Sequence, residues 1–112
     1  MLKRSLRLRK NSAYRKVFAE GACFPGKYVV IYIIKGEEKY GFVASRKVGN
    51  AVQRNRAKRQ MREIVRLNKA QLFPDKQMVF IARSSIKRAT YLEIERSIDY
   101  SLHRIRKAFL KK

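Results

Sequence analysis

The chain is 112 residues long and carries 29 Lys or Arg against 8 Asp or Glu, a formal net charge of +21. At 46% hydrophobic residues it is too apolar for a disordered basic tail, and its longest apolar run, Tyr28–Ile34, falls far short of the ~20 residues that span a bilayer. No apolar stretch follows the basic N-terminus, so no secretory signal is expected, and the lone Cys23 cannot form an internal disulfide and suits a reducing cytoplasm.

Without a linker, repeat or low-complexity block, a single domain over residues 1–112 is expected. Residues 3–16 hold seven basic residues and no acid, which predicts an arm that starts extended. Asn11 and Ser12 are candidate caps for a short helix ending near Gly21. Tyr28–Ile34 (YVVIYII) is β-branched and aromatic, a strand with Val29, Ile31 and Ile33 on one face and Tyr28, Val30 and Tyr32 on the other. Lys35–Glu38 reads as a turn and Lys39–Ser45 as a second strand, antiparallel to the first. Gly49 breaks the chain, and Asn50 with Gln53 resembles a capping box opening a helix over Ala51–Asn68. Leu72, Phe73 and Pro74 end that segment, and Gln77–Ala82 (QMVFIA) is a third strand. Thr90 and Glu93 form a cleaner capping box for the last helix, whose stripe of Tyr91, Ile94, Ile98, Leu102, Ile105 and Phe109 reads as core. The order α-β-β-α-β-α predicts an α+β fold, helices packed on a small, mostly antiparallel sheet.

A charge of +21 calls for an anionic partner. It is spread along the whole chain rather than gathered on one amphipathic helix, which favours nucleic acid over a membrane surface. Residues 45–63, SRKVGNAVQRNRAKRQMRE, concentrate the signal. At 100° per residue Arg54, Lys58, Arg62, Asn55, Arg66 and Arg59 fall within about 140° of arc, while Ala57, Met61 and Ile64 face the sheet. Glu63 is the only carboxylate on this helix, so its cations cannot all be neutralised there, whereas a merely solvated face would intersperse signs. Arg56 points away from the main arc, and Asn55 could read a base edge or bridge a phosphate. Tyr14 and Phe18, one helical turn apart, and Tyr32 on the first strand offer rings on which unpaired bases can stack. Phe18 divides evenly between core and cleft. A tyrosine hydroxyl needs a partner if buried, which makes Tyr14 and Tyr32 the better cleft candidates.

A protein nuclease would need grouped carboxylates for Mg²⁺ or a His-based acid and base. His103 is the only histidine; Glu93, Glu95 and Asp99 sit among Arg96 and Arg104, where intrahelical ion pairs explain them; and Cys23 has no zinc-ligand set around it. No catalytic or metal-ligating residue is expected in this chain. A small ribosomal protein and a DNA-binding module share the size and charge, although unpaired bases suit the aromatics better than a duplex does.

Arg54-Asn55-Arg56, with Gly49-Asn50-Ala51-Val52 before it and Lys58-Arg59 and Arg62 after it, resembles the RNR signature of the bacterial ribonuclease P protein family. The similarity runs from Lys10-Asn11, Tyr14, Phe18 and Gly21 through Ile81-Ala82-Arg83 to the last helix, nearly the whole chain. It implies a small α/β sandwich with a left-handed β-α-β crossover, against the usual right-handed rule. It implies a subunit that joins a catalytic RNA and aids endonucleolytic removal of the 5′ leader of precursor tRNA, in the cytoplasm, with no membrane and no protein partner required. By position, Arg54, Asn55, Arg56, Lys58, Arg59, Arg62 and Arg66 would meet the catalytic RNA, and Tyr14, Phe18 and Tyr32 would line the leader cleft. The chemistry would then belong to Mg²⁺ held by the RNA–substrate complex, with no cofactor bound by the protein.

Overall fold

The structure is a computed structural model that describes residues 3–68 and 72–110. Its elements are α1 (Asn11–Glu20), β1 (Ala22–Pro25), β2 (Val29–Lys35), β3 (Lys39–Ala44), α2 (Ala51–Leu67), β4 (Lys76–Ala82) and α3 (Tyr91–Leu110), with short 3-10 helices at Arg4–Leu6 and Ser84–Arg88. The four strands form one mixed sheet in the order β1-β2-β4-β3. β1 and β4 run antiparallel to β2, and β3 runs parallel to β4, pairing Lys39 with Gln77 through Ala44 with Ala82.

Two strand expectations are corrected. The segment Ala22–Pro25 is a strand with no signal in the residue pattern, since four residues between Gly21 and Gly26 are too few to show a period. The strand over Lys39–Ala44 does not pair with β2; β4 lies between them. The reason is burial. β4 places Met78, Val79 and Phe80 in succession out of solvent, so both of its faces are covered and it belongs at the centre. β3, with Gly41 and a charged start, takes the edge. Parallel neighbours need a long crossover, which α2 supplies.

Helix starts follow local chemistry where a capping pair exists. Asn50 Oδ1 accepts from the Gln53 N–H and Gln53 Oε1 from the Asn50 N–H, both at 2.9 Å. Gly49, at φ +145°, lies where a Cβ would strike the Gln53 side chain, so glycine is required there. Thr90 and Glu93 close the second box at 2.9 and 3.2 Å. At α1 the expected caps fail: Asn11 and Ser12 lie inside the first turn, and Lys10 at the cap position makes no side-chain capping bond.

The sheet has two unequal faces. Against the inner one, Val29, Ile31, Ile33, Met78 and Phe80 meet Met61 and Ile64 of α2 and Ile94, Ile98, Leu102 and Ile105 of α3. Tyr91 stands exposed at the start of the predicted α3 stripe, and Phe109 is partly buried at its end. The outer face carries only α1 and the arm, which bury Leu8, Val17 and Val79. The arm is held against the free edge of β3, the Leu8 N–H donating to the Tyr40 carbonyl at 2.8 Å and Lys39 Nζ to the Ser5 carbonyl at 2.6 Å. Across the same edge the Tyr14 ring rests on Gly41, where a Cβ would sit 2.6 Å from the ring. Gly41→Ala is therefore expected to cost about 1–3 kcal/mol of stability by overpacking. Urea denaturation would check it, and a cycle with Tyr14→Ala should show losses that do not add.

Candidate nucleic-acid interface

α2 lies against β3 and the inner face with Ala57, Met61, Ile64 and Val65 buried. Val65 falls about 20° from Arg54 on the helix wheel, inside the predicted cationic arc, so the buried stripe cuts into that arc. Arg54, Lys58 and Arg62 become a half-buried row along the packed edge, while Asn55, Arg59 and Arg66 stand exposed. Their surroundings differ. Arg54 Nη1 donates to the Gly49 carbonyl at 3.2 Å and so braces the loop that opens the helix. The Arg62 guanidinium lies 5.7 Å from the Phe42 ring centroid, and Phe42 stacks in turn on Phe80 with centroids 5.5 Å apart. Arg66 forks onto Glu63 at 3.0 and 2.6 Å, and that hydrogen-bonded pair holds the Glu63 carboxyl below the usual carboxylate range. Among the described residues Arg56, Lys58 and Arg59 have no carboxylate partner. Arg56, off the arc as expected, borders Gln53, Gln60 and Lys87 on the opposite flank of α2.

The outer face brings the three predicted rings together. Tyr14 and Phe18 have centroids 6.4 Å apart, and Phe18 meets Tyr32 edge-on at 5.2 Å. Their exposure differs, Phe18 lying more open than Tyr14. Tyr14 is a strut: its hydroxyl donates to the Leu8 carbonyl at 3.1 Å, and burial pushes its pKa up despite the opposing Phe42 N–H and the Arg62 charge. Phe18, by contrast, is 40% exposed. The exposed Cys23 thiol, beside Tyr32 across the β1–β2 pair, raises the pKa of the Tyr32 hydroxyl. Beyond Tyr32, half-buried Val30, Ile81 and Val43 floor the open part of the face. Tyr28 does not share this face; it precedes β2 and packs against the inner core, its ring 5.4 Å from Lys27 Nζ.

Arg62 joins the two surfaces. It sits on Phe42 from the α2 side, and its charge reaches Tyr14 on the outer side, so the cationic row and the aromatic face meet at the β3 edge. Exposed Arg46 and Lys47, in the turn before α2, extend the positive surface. Sequence reasoning left them unassigned although their charge within residues 45–63 was the available signal. Two of the α3 carboxylates are engaged locally: Glu93 caps the helix and Glu95 lies 3.5 Å from Asn68 Nδ2, and among the described residues neither forms the expected intrahelical ion pair. Among the described residues no three His, Cys, Asp or Glu side chains gather in one place, and no helix is long and apolar enough to cross a membrane.

Residues 2–106 match the family model described as Ribonuclease P. The chain is 42% identical over 104 residues to the ribonuclease P protein component of Alkaliphilus metalliredigens, covering 90% of this chain and 91% of that one. To the same component of Clostridioides difficile it is 45% identical over 95 residues, covering 81% and 83%. Among solved structures it resembles the RNase P protein of Thermotoga maritima with a TM-score of 0.80 at 30% identity, covering 88% and 96% of the two chains. The Staphylococcus aureus RNase P protein gives a TM-score of 0.79 at 30% identity, covering 89% and 94%.

An interface of this kind has an electrostatic signature. Arg62→Ala or Arg59→Ala should each weaken binding to a structured RNA and reduce the slope of log K against log salt by about one. Filter binding over a salt series measures both, and an unchanged slope would remove that residue from the interface.

Proposed function

The chain belongs to the ribonuclease P protein family, and we propose that it binds the catalytic RNA through α2 and the 5′ leader of precursor tRNA across its outer sheet face. As a ribonuclease P protein component it is part of the endonuclease that processes the tRNA 5′ end. The single observation that carries the division of labour is the meeting of two unlike surfaces at β3. A cationic row without carboxylate partners, apart from Arg66, suits the phosphates of a folded RNA, and two accessible rings suit an unpaired strand.

The mechanism follows from charge and position. Lys58, Arg59 and Arg62 reduce repulsion between RNA phosphates that must come close, and Phe18 with Tyr32 holds leader bases so that the scissile bond is fixed relative to the catalytic RNA. Arg54 acts mainly through Gly49, setting the angle at which α2 and the Arg46–Lys47 turn meet the RNA. On this reading metal ions would supply the hydrolytic chemistry, held by the RNA–substrate complex rather than by this chain. Among the described residues no three His, Cys, Asp or Glu side chains gather in one place, and Glu63 is paired with Arg66, Glu93 caps α3 and Glu38 accepts from the Tyr40 hydroxyl. This reading needs no membrane and no protein partner, and places the chain in the cytoplasm, where Cys23 stays reduced.

The direct test is precursor-tRNA cleavage by a bacterial ribonuclease P RNA at low Mg²⁺, with and without this protein. Restored cleavage at the mature 5′ end is expected; binding without rescue would make this a general RNA-binding protein. For the leader cleft, Tyr32→Ala should lower the affinity of the holoenzyme for precursor roughly tenfold and leave mature tRNA unchanged. Equal loss for both substrates would count against the cleft.

A further inference from the structure

The core between α3 and the sheet leaves one end open. Between the turn Pro25–Tyr28 and the middle of α3 lies a groove of about 440 Å³, walled by Lys27, Tyr28, Arg96, Ser97 and Tyr100. The turn that forms one wall is held in place with unusual completeness. Four successive carbonyls accept hydrogen bonds from two other segments, α3 and the stretch Arg83–Ser85: Pro25 from Arg104 Nη1 at 2.9 Å, Gly26 from Arg83 Nη1 at 3.1 Å, Lys27 from Ser85 Oγ at 2.9 Å and Tyr28 from the Arg83 N–H at 2.9 Å. Gly26 lets the turn sit close on α3, since a Cβ there would lie 3.0 Å from Ser101 Oγ and 2.7 Å from the Val29 carbonyl. That Ser101 hydroxyl is fully buried and has no hydrogen-bond partner among the described residues.

The groove's chemistry is that of a nucleotide pocket. Tyr100 is 65% exposed, with the Arg104 guanidinium 5.7 Å from its ring centroid, so one ring face is already set and the other is accessible. Lys27 and Arg96 supply positive charge for a phosphate, and the one carboxylate in the wall, Glu93, is turned to the Thr90 N–H. A planar base over a tyrosine with a phosphate on flanking cations satisfies each of these groups.

Position selects the strand that would occupy it. The groove sits at the β1 edge, where α3 packs, whereas α2 packs over β3 at the opposite edge. The same hairpin serves both faces: Cys23 and Tyr32 pair on the outer side, and the turn that follows Pro25 and precedes Val29 walls the groove. From Tyr32 to Tyr28 is four residues of extended chain, about 13 Å. A single strand that stacks on Tyr32 and runs past Val30 arrives at this turn. We propose that the groove between the Pro25–Tyr28 turn and α3 binds the upstream nucleotides of the 5′ leader, beyond those held at Phe18 and Tyr32, a site that rests on the leader reading above.

The test uses reconstituted holoenzyme and two precursors that differ only in leader length, a short leader ending at Tyr32 and a long one that continues past it. Tyr100→Ala and Arg96→Ala should each weaken the long-leader precursor roughly tenfold and leave the short-leader precursor and mature tRNA unchanged. No loss on the long leader, or the same loss on all three substrates, overturns the proposal. Tyr32→Ala measured in parallel separates the two readings. If it lowers the affinity of both precursors while Tyr100→Ala lowers neither, only the groove falls. If Tyr32→Ala does not distinguish precursor from mature tRNA, the leader reading falls and the groove with it.

Discussion

The fold depends on one constraint: β4 must be covered on both faces. Met78 and Phe80 face α2 and α3, while Val79 faces α1, and no edge position could bury all three. Once β4 is central, β2 and β3 must flank it, one antiparallel and one parallel, and the parallel neighbour obliges a helical crossover. That crossover is α2. The helix with the densest positive charge is thereby carried to the β3 edge, next to the face on which the aromatic residues lie.

Charge shapes the molecule in a second way. With 29 basic and 8 acidic residues, the few carboxylates cannot neutralise the many cations. The structure uses them for local geometry instead, Glu93 in a cap, Glu38 on a buried phenol and Glu63 on its helical neighbour Arg66. What remains is a surface whose repulsion is relieved best by a polyanion. The cations are not equivalent. Arg54 is tied to a loop carbonyl, Arg62 lies on Phe42, Arg66 is paired, and Lys58 and Arg59 have no carboxylate partner among the described residues. One signature therefore combines cations that brace the fold with cations that no carboxylate holds among the described residues.

The outer face shows a similar economy. α1 is short and covers only part of the sheet, so Val30, Val43 and Ile81 remain half-exposed. Tyr14 ties helix, arm and edge strand together through Gly41 and the Leu8 carbonyl. That leaves Phe18 and Tyr32 as the more open rings of this face among the described residues. The opposite end of the β1–β2 hairpin is held just as firmly, through the carbonyls of its turn.

Much of this was readable in the residues themselves. Both capping boxes, the extent of α2 to within a residue, the start of α3, the alternation of β2 and the cationic row follow from short-range spacing, because a helix or strand repeats every few residues. The family also lay within reach, since the Arg54–Arg62 signature is a local string. The placement of β4 between β2 and β3 was not local: it reflects which strand has two faces to bury, a comparison made only when the whole sheet assembles. The exposure of Tyr14 and Phe18 was likewise decided by tertiary packing, because burial of a ring depends on the glycine and carbonyl it meets across the sheet. Tyr28 left its predicted face for the same reason: it lies one residue before the strand, where the turn rather than the pleat directs its side chain.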